Sequence, residues 1–352
     1  MKHYLAIIGY GAMGPLHRKI IKYGVSEIEV VGVYDIRSEC MEKAAAQGLK
    51  TYSSLDELLF DERIDIVTIA TPNDTHKNLA IRCLRAGKNV VCEKPVTLTS
   101  ADLVEVMEVA KECGKIFTIH QNRRWDKDYR QIKKIIADNT LGKPYFLESR
   151  VTNMSRCMNG WRGYKCNGGG LLLDWGIHLL DQLLDLFDSP VVSVDAHILS
   201  LYSPETDDSV RIFLRYENGV SVLFEVGYNC FIPLPRWHMC CEHGTVAIAE
   251  IDGKGTMRLA DSTGEVRHLS NLVYTADGIK TDEIDVPMNN SFVELDMPVV
   301  ESEWCHLYRN VAAAIDGREE LIVKPEQALR VLKVVELAHQ SNKIHTAIAC
   351  RI

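Results

Sequence analysis

Three ionisable residues have the side chains and the spacing that acid–base chemistry requires. Lys94 lies in Cys92-Glu93-Lys94-Pro95, at the carboxyl end of a run predicted to be a buried strand, and open parallel sheets bind ligands at that edge. Asp174 and His178 are four residues apart in a predicted helix, so they share one face. A lysine can anchor a substrate oxygen, and a histidine can take a hydroxyl proton. For the helix taken alone, a capping aspartate and a hydrogen-bonded core histidine are the simpler interpretation.

A glycine-rich loop, Gly9-Tyr10-Gly11-Ala12-Met13-Gly14, follows the first predicted strand and opens the first predicted helix. In this context the first glycine permits a tight turn, the second lets the backbone approach a pyrophosphate, and the third allows close packing of helix and strand. The helix N-terminus then faces the phosphates. The loop therefore predicts a dinucleotide-binding Rossmann domain.

The acidic residue that ends the second predicted strand sets the expected cofactor. Asp35 follows Gly14 by roughly 20 residues, where a carboxylate accepts hydrogen bonds from the adenosine ribose and repels a 2′-phosphate. We therefore expect NAD rather than NADP, with Asp35, Ile36 and Arg37 at the ribose. The positive charge of Arg37 works against this preference.

The order of the predicted elements indicates where these residues lie. The first third of the chain alternates short β-branched runs with helical patterns, which is typical of a parallel sheet built from βαβ units. The predicted strands cover residues 4–8, 29–34, 64–70, 89–92 and 116–120, and the predicted helices cover 13–23, 39–47, 76–86 and 101–113. We predict an α/β Rossmann domain over residues 1–122.

The rest of the chain, residues 123–352, has longer strand-like runs separated by turns. Glu217-Asn218-Gly219 between two of these runs predicts a hairpin, so we expect an α+β domain with a largely antiparallel open sheet. This domain would bind the substrate and mediate oligomerisation. The predicted strands are 145–152, 191–199, 210–216 and 220–226, and the predicted helices are 174–187, 304–315 and 326–340.

Composition and charge narrow the class of protein. The chain has 352 residues, 46% of them hydrophobic, and a formal net charge of −8, which disfavours nucleic acid and anionic membranes as partners. No stretch approaches the roughly 20 apolar residues that span a bilayer, and the first residues lack a secretory signal pattern. The 11 cysteines include no Cys-x-x-Cys pair, and the adjacent Cys240 and Cys241 near His243 would lie on opposite faces of a strand. We expect a soluble, cytoplasmic protein with reduced thiols, a small-molecule substrate and no metal.

These motifs together resemble the glucose-fructose oxidoreductase, inositol dehydrogenase and MocA family. The resemblance covers essentially the whole chain, and its motifs occur in the expected order. The tripeptide at residues 93–95 and the Asp-x-x-x-His helix are specific only in combination. The residues that carry the resemblance are the loop 9–14, Thr71-Pro72-Asn73 with His76, Glu93-Lys94-Pro95, and the glycine run 168–170 that leads to Asp174 and His178.

The resemblance implies an NAD-dependent oxidoreductase that acts on a CH–OH group of a sugar or cyclic polyol, as a homodimer or homotetramer. It implies that Lys94 hydrogen-bonds the reacting oxygen beside the nicotinamide, that His178 is the acid/base and that Asp174 binds or orients the substrate. Further cofactor contacts are implied for Thr71, Pro72, Asn73, His76, Glu93, Pro95, Trp161 and Arg162.

Residues 121–126 are similar to a segment of family members that act on inositols and related cyclic sugars. We therefore expect Gln121 at the cofactor and Arg123 at the substrate or the cofactor, with Trp125 either at the same cleft or in interdomain packing. His120 and Tyr308 are weaker candidates, because a polar residue that ends a strand is usually solvated.

Three functions stay open on the sequence alone. The first is a dehydrogenase of a sugar, glycoside or inositol. The second is a glycoside-processing enzyme with tightly bound NAD, and the third is a non-catalytic NAD-binding regulator. The presence of Lys94, Asp174 and His178 together argues against the regulator. The loops 154–166 and 231–237 are expected to shape the substrate cleft. The apolar loop 231–237 is interpreted as a cleft wall or a subunit contact, with ordinary packing as the simpler alternative.

Overall fold

The computed structural model describes residues 2–261, 266–287 and 292–352. The chain begins with a parallel sheet whose strands are β1 (His3–Ile8), β2 (Ile28–Tyr34), β3 (Lys50–Thr51), β4 (Ile66–Ile69), β5 (Asn89–Cys92) and β6 (Phe117–Ile119). The spatial order is β3-β2-β1-β4-β5-β6, and every neighbouring pair is parallel. The strand order runs one way from β1 to β3 and the other way from β4 to β6, so a crevice lies between β1 and β4 at the carboxyl edge of the sheet. Sheets of this kind bind dinucleotides in that crevice.

Helices connect and cover these strands. They are α1 (Met13–Gly24), α2 (Ser38–Ala46), α3 (Leu55–Phe60), α4 (His76–Arg85) and α5 (Ser100–Glu112). All four residues of β4 are buried, as expected for a strand that helices cover on both faces. The predicted Rossmann architecture is confirmed. The short elements β3 and α3 lie in a segment for which the sequence analysis predicted no element, because neither is long enough to show a periodic pattern.

A second, nine-stranded sheet follows α6 (Lys127–Ala137). Its strands are β7 (Pro144–Thr152), β8 (Val191–Leu199), β9 (Ser209–Tyr216), β10 (Ser221–Gly227), β11 (Trp237–Cys241), β12 (Gly244–Ile248), β13 (Gly255–Ala260), β16 (Phe292–Leu295) and β17 (Ile348–Ala349). All neighbours are antiparallel except β7 and β10. The predicted hairpin is confirmed: β9 turns into β10 around Gly219, whose φ is +90°.

Two further strands, β14 (Val266–Thr275) and β15 (Gly278–Pro287), pair with each other in a separate hairpin. No predicted element corresponds to this hairpin, to α6 or to the strands β11, β12, β13, β16 and β17. Several of these segments carry charges or glycines within short runs, which weakens the period-2 pattern of a strand.

Three helices close the fold: α7 (Ile177–Leu186), α8 (Cys305–Ile315) and α9 (Pro325–Ile344). The predicted helix 174–187 is in fact two segments, a π-helical turn at Leu172–Gly176 and then α7. Helix α9 packs against α5, α7 and β8, and α8 packs against α1, so the closing helices return to the first sheet. Within the described residues, no helix has both the length and the apolar character needed to cross a membrane. All 11 cysteines are free thiols.

Candidate active site

The glycine loop leaves a bare backbone between β1 and α1. A Cβ on Gly9, whose φ is +90°, would lie 2.4 Å from the carbonyl oxygen of Ala70, and a Cβ on Gly14 would lie 2.4 Å from the carbonyl oxygen of Gly9. Helix α1 starts at Met13, directly after Ala12, and no side chain caps its first turn. Its first N–H groups are therefore available to a phosphate. These features fit a dinucleotide cofactor.

Asp35 closes the same loop. Its Oδ2 accepts a hydrogen bond from the backbone N–H of Tyr10 at 2.6 Å, and its Oδ1 accepts one from the N–H of Arg37 at 2.9 Å. Burial raises the pKa of Asp35, but these bonds and the Arg37 charge outweigh it and leave the pKa below its ordinary value. A terminal nitrogen of Arg37 lies 2.8 Å from the point that a Cβ on Gly11 would occupy. The guanidinium therefore lies beside the loop, while Ile36 is exposed.

The segment after β4 contacts the cis Lys94–Pro95 segment through His76. This histidine is fully buried, with Nδ1 2.8 Å from the Pro95 carbonyl oxygen and Nε2 3.0 Å from that of Thr71. His76 thus joins the loop after β4, which includes Pro72, to the loop after β5. Asn73 is also buried, and its side-chain amide donates to the Gly168 carbonyl at 2.8 Å.

Lys94 and Asp174 form the ion pair at the centre of the site. Lys94 Nζ donates to Asp174 Oδ1 at 2.8 Å and to the Asp174 carbonyl at 3.0 Å. Arg162 Nε lies 3.3 Å from the same Oδ1. Burial raises the pKa of Asp174, but the charges of Lys94 and Arg162 outweigh this effect and hold the pKa below its ordinary value. Asp174 is therefore an ionised carboxylate that holds Lys94 in place.

His178 is held by Gln121. The His178 Nδ1 lies 3.0 Å from Gln121 Oε1, and an amide oxygen only accepts, so Nδ1 carries the proton and Nε2 has the lone pair. Burial, followed by the charges of Lys94 and Arg123, holds the pKa of His178 well below its ordinary value. The imidazole is therefore neutral at pH 7 and can accept a proton.

Arg123 reaches the same region between two tryptophans. Its guanidinium carbon lies 4.1 Å from the ring centre of Trp175 and 5.6 Å from that of Trp304. Asp126 binds Arg123 Nη1 at 2.7 Å and the Trp304 indole N–H at 2.8 Å. The Trp175 ring is 6.3 Å from the ring of His178. The sequence analysis missed both tryptophans; Trp175 adjoins Asp174 in sequence, but no local pattern pointed to Trp304.

The glycine run brings Arg162 to Asp174. A Cβ on Gly169 would lie 2.2 Å from the Arg162 carbonyl oxygen, so only glycine allows the turn at Gly160–Gly163 to pack there. Arg162 also lies 4.4 Å from the ring centre of its neighbour Trp161. The structure thus places Arg162 on the carboxylate that holds Lys94.

The two loops expected to shape the substrate cleft lie side by side. The N–H of Cys230 donates to the Asn153 carbonyl at 3.1 Å, and the N–H of Arg156 donates to the Tyr228 carbonyl at 2.8 Å. Burial and the charge of Asp174 raise the pKa of Tyr228, which faces the site from this side. The large apolar side chains exposed on these loops are Met154, Tyr164, Phe231, Ile232 and Leu234, whereas Trp237 is buried in β11.

Glu93 and His120 are almost completely buried. The expectation that His120 is solvated is wrong, because α1 and α8 cover the end of β6; Trp125 is buried as well. Among the described residues, one group has the composition of a metal site: His17, Glu93 and His120, whose ligand atoms lie within 4.8 Å of one another. The sequence analysis missed His17, three residues after Gly14.

Comparisons with known proteins agree with this geometry. A family model described as an oxidoreductase family with an NAD-binding Rossmann fold matches residues 4–121, and a GFO/IDH/MocA C-terminal domain model matches residues 129–247. A crystal structure of an NAD-binding protein from Listeria innocua is 39% identical with a TM-score of 0.88, over 99% of this chain and 97% of that chain.

Two curated relatives match over nearly their whole length. The uncharacterized oxidoreductase YdgJ of Escherichia coli is 29% identical over 98% of each chain. The scyllo-inositol 2-dehydrogenase (NADP(+)) IolW of Bacillus subtilis is 26% identical over 96% of this chain and 93% of its own. The glycine loop, the ion pair at Lys94 and the two matched domains lead to one conclusion: the chain belongs to the GFO/IDH/MocA family of NAD-binding oxidoreductases.

Proposed function

We propose that this protein is a dehydrogenase that transfers hydride between a nicotinamide cofactor and a ring carbon of a sugar, glycoside or inositol. The observation that carries the proposal is the pairing of a fixed cation with a neutral base. Lys94 is held by Asp174, and His178 has its Nε2 lone pair available because Gln121 occupies Nδ1. Oxidation of a secondary alcohol needs this pair: a proton acceptor and a stabiliser for the oxygen.

The roles of the residues follow from their contacts. A bound nicotinamide cofactor supplies the hydride acceptor in the oxidative direction. His178 Nε2 takes the hydroxyl proton, and Lys94 donates a hydrogen bond to the same oxygen as negative charge develops. Asp174 orients Lys94 and is expected to accept a hydrogen bond from a neighbouring hydroxyl of the substrate. A ring with several adjacent hydroxyls satisfies both groups at once.

The substrate class is supported from two sides. The Trp175 ring lies beside His178, and Arg123 lies between Trp175 and Trp304, so an apolar ring face and a cation stand together, a combination suited to a sugar or cyclic polyol. The relative IolW is named as an inositol dehydrogenase. For the cofactor we propose NAD, because Asp35 presents a carboxylate where the ribose is expected.

The test is the near-ultraviolet absorbance of reduced nicotinamide. Purified protein is mixed with NAD or NADP and with a panel of inositols, free hexoses and glycosides, with Lys94→Ala as the control. We expect reduction of NAD by one polyol class and loss of that reaction in the variant. Absence of turnover, with NAD released only on heating, would instead favour the glycoside-processing enzyme or the regulator. Normal turnover by Lys94→Ala would contradict the assigned role of Lys94.

A further inference from the structure

A buried network lies next to Lys94 and takes no part in the steps described above. Glu93 Oε1 accepts a hydrogen bond from His120 Nδ1 at 2.8 Å, and His17 Nε2 lies 3.0 Å from the same oxygen. The N–H of His17 points off the line to that oxygen, so this contact is the weaker of the two. Both imidazole rings are fully buried, and their centres are 4.3 Å apart. Side chains from helix α1 and from the end of β6 thus both contact the Glu93 carboxylate.

Tyr308 extends the network to the closing helices. Its hydroxyl oxygen lies 2.8 Å from His17 Nδ1 and 2.9 Å from Thr68 Oγ1. Tyr308 belongs to α8 and Thr68 to β4, and both side chains are fully buried. One chain of polar contacts therefore joins β4, α1, the end of β5, the end of β6 and α8.

The network contacts both proposed catalytic residues through their neighbours in sequence. Glu93 precedes Lys94, and Glu93 Oε2 accepts a hydrogen bond from the Lys94 backbone N–H at 3.2 Å. His120 precedes Gln121, which holds the Nδ1 of His178. The bond between Glu93 and His120 therefore adds a side-chain link to the two strand ends that carry Lys94 and Gln121, beside the backbone bond from the His120 N–H to the Cys92 carbonyl at 2.8 Å.

Glu93 stays ionised although the burial of a charge is unfavourable. Burial raises the pKa of Glu93, but His120 and His17 outweigh this effect and hold the pKa well below its ordinary value. Burial holds the pKa of His17 below its ordinary value, so this ring is neutral. A buried carboxylate adds little net stability, since its desolvation offsets the bonds that it accepts. An ionised group at this position therefore points to a purpose beyond stability.

We propose that Glu93, His17 and His120 are positioning residues that set the placement of Lys94 relative to His178. With the carboxylate in place, the ammonium of Lys94 and the Nε2 of His178 meet the same hydroxyl oxygen. The inference rests on the proposed function for its effect on catalysis. The network itself is a property of the protein without substrate.

The catalytic test compares two substitutions of His120 in the full chain. His120→Asn keeps a side-chain N–H donor at the position of Nδ1, the atom that bonds Glu93, whereas His120→Leu removes it. We expect kcat to stay within a few-fold in the first and to fall by roughly 10- to 100-fold in the second, because small misplacements of reacting groups cost up to about that much. The KM and the dissociation constant of NAD should change little in both variants.

His3 provides the matched control. It is a buried histidine at the amino end of β1, the opposite edge of the first sheet, with Nε2 3.2 Å from Asp316 Oδ1. His3→Leu should lower the unfolding temperature and leave kcat per folded molecule unchanged. A purely structural role for His120 would give this same result, with equal kcat in His120→Asn and His120→Leu, and would overturn the proposal.

Nitrogen-15 NMR of the histidine rings tests the network without turnover. In the free protein we expect the proton of His120 on Nδ1 and that of His178 on Nδ1, and we expect Glu93→Gln to shift the His178 signals as well as those of His120. Unchanged His178 signals would overturn the proposal even if a substrate is found. Stoichiometric zinc or iron in the purified protein would also overturn it, because a metal would replace the hydrogen bonds. If the NMR result holds and no polyol is oxidised, the proposed function fails and the network stands.

Discussion

Two ion pairs join the segments around β5 and β6 to residues 172–186, and they are built differently. In the pair between Lys94 and Asp174 the side chains are 12% and 18% exposed, and a second cation, Arg162, shares the carboxylate. In the pair between Arg124 and Asp181 they are 4% and 2% exposed, with two bonds of 2.7 Å. The first pair can exchange partners with a ligand, whereas the second is a fixed bidentate contact.

The surroundings explain this difference. Arg124 also donates to the Gln327 side chain at 3.0 Å and lies 3.2 Å from Asp185, so it ties α7 to the start of α9. Lys94 instead stands at the carboxyl edge of the sheet, where the crevice lies. Residues 172–186 thus take part in one charge pair that stabilises the fold and in one that we propose acts in catalysis. The solvent accessibility of the side chains distinguishes the two pairs.

The largest expected effect comes from breaking the buried pair. Arg124→Met would leave Asp181 as an uncompensated buried carboxylate, which costs about 3–5 kcal/mol of stability. The measurement is the free energy of unfolding in denaturant. The double variant with Asp181→Leu should recover part of the loss, because it removes the unpaired charge. A loss below about 1 kcal/mol in Arg124→Met would fit an exposed pair and contradict this interpretation.

For the accessible pair of Lys94 and Asp174 we expect a large effect on catalysis and a small effect on stability. Lys94→Ala is expected to lower kcat by roughly 100-fold, about 2.7 kcal/mol of transition-state stabilisation. Its unfolding free energy should change little, because Arg162 remains beside Asp174. Steady-state kinetics with the substrate found above, together with denaturant unfolding, measure both quantities. A variant that is unstable but fully active per folded molecule would reverse the comparison.

The pH dependence of kcat/KM tests whether His178 is the base at the accessible site. Because the pKa of His178 is held well below its ordinary value of 6.5, the neutral base persists at pH 7. As the pH falls through the lowered pKa, the ring takes up a proton and can no longer accept one. We therefore expect kcat/KM for oxidation to stay level from pH 7 down to about 6.5 and to fall only below it. An acidic limb centred at pH 7 or above would contradict the assignment of His178.

The smallest expected effect concerns Arg37, the exposed member of its pair with Asp35. The side chain of Arg37 is 51% exposed, and exposed charge pairs contribute about 0.2–1 kcal/mol. Arg37→Ala should therefore weaken binding of NADP by up to about fivefold and leave the affinity for NAD nearly unchanged. Fluorescence titration with both reduced cofactors gives the ratio. An equal loss for both cofactors would place Arg37 on a part that they share.

Local sequence was sufficient for five of the six strands of the first sheet and for its glycine loop. A Cβ on Gly14 would meet atoms of the nearby Gly9 and Tyr10, and β-branched runs alternate with helical patterns over whole elements. The spacing of Asp174 and His178 also placed both at the site, although the turn before α7 is π-helical. These features depend on neighbours in the chain, so a contiguous pattern contains them.

The contacts that define the chemistry depended on tertiary structure. Asp174 meets Lys94, and Gln121 meets His178, across large separations in sequence. The buried contacts of Glu93 need His17 from the first helix and His120, which directly follows the last strand of the first sheet. The sequence by itself indicated most strands and helices of the first domain, the glycine loop and the candidate side chains for acid–base chemistry. Packing decided which of these side chains are paired, buried or accessible to solvent, because burial and hydrogen-bond partners arise only when distant segments come together.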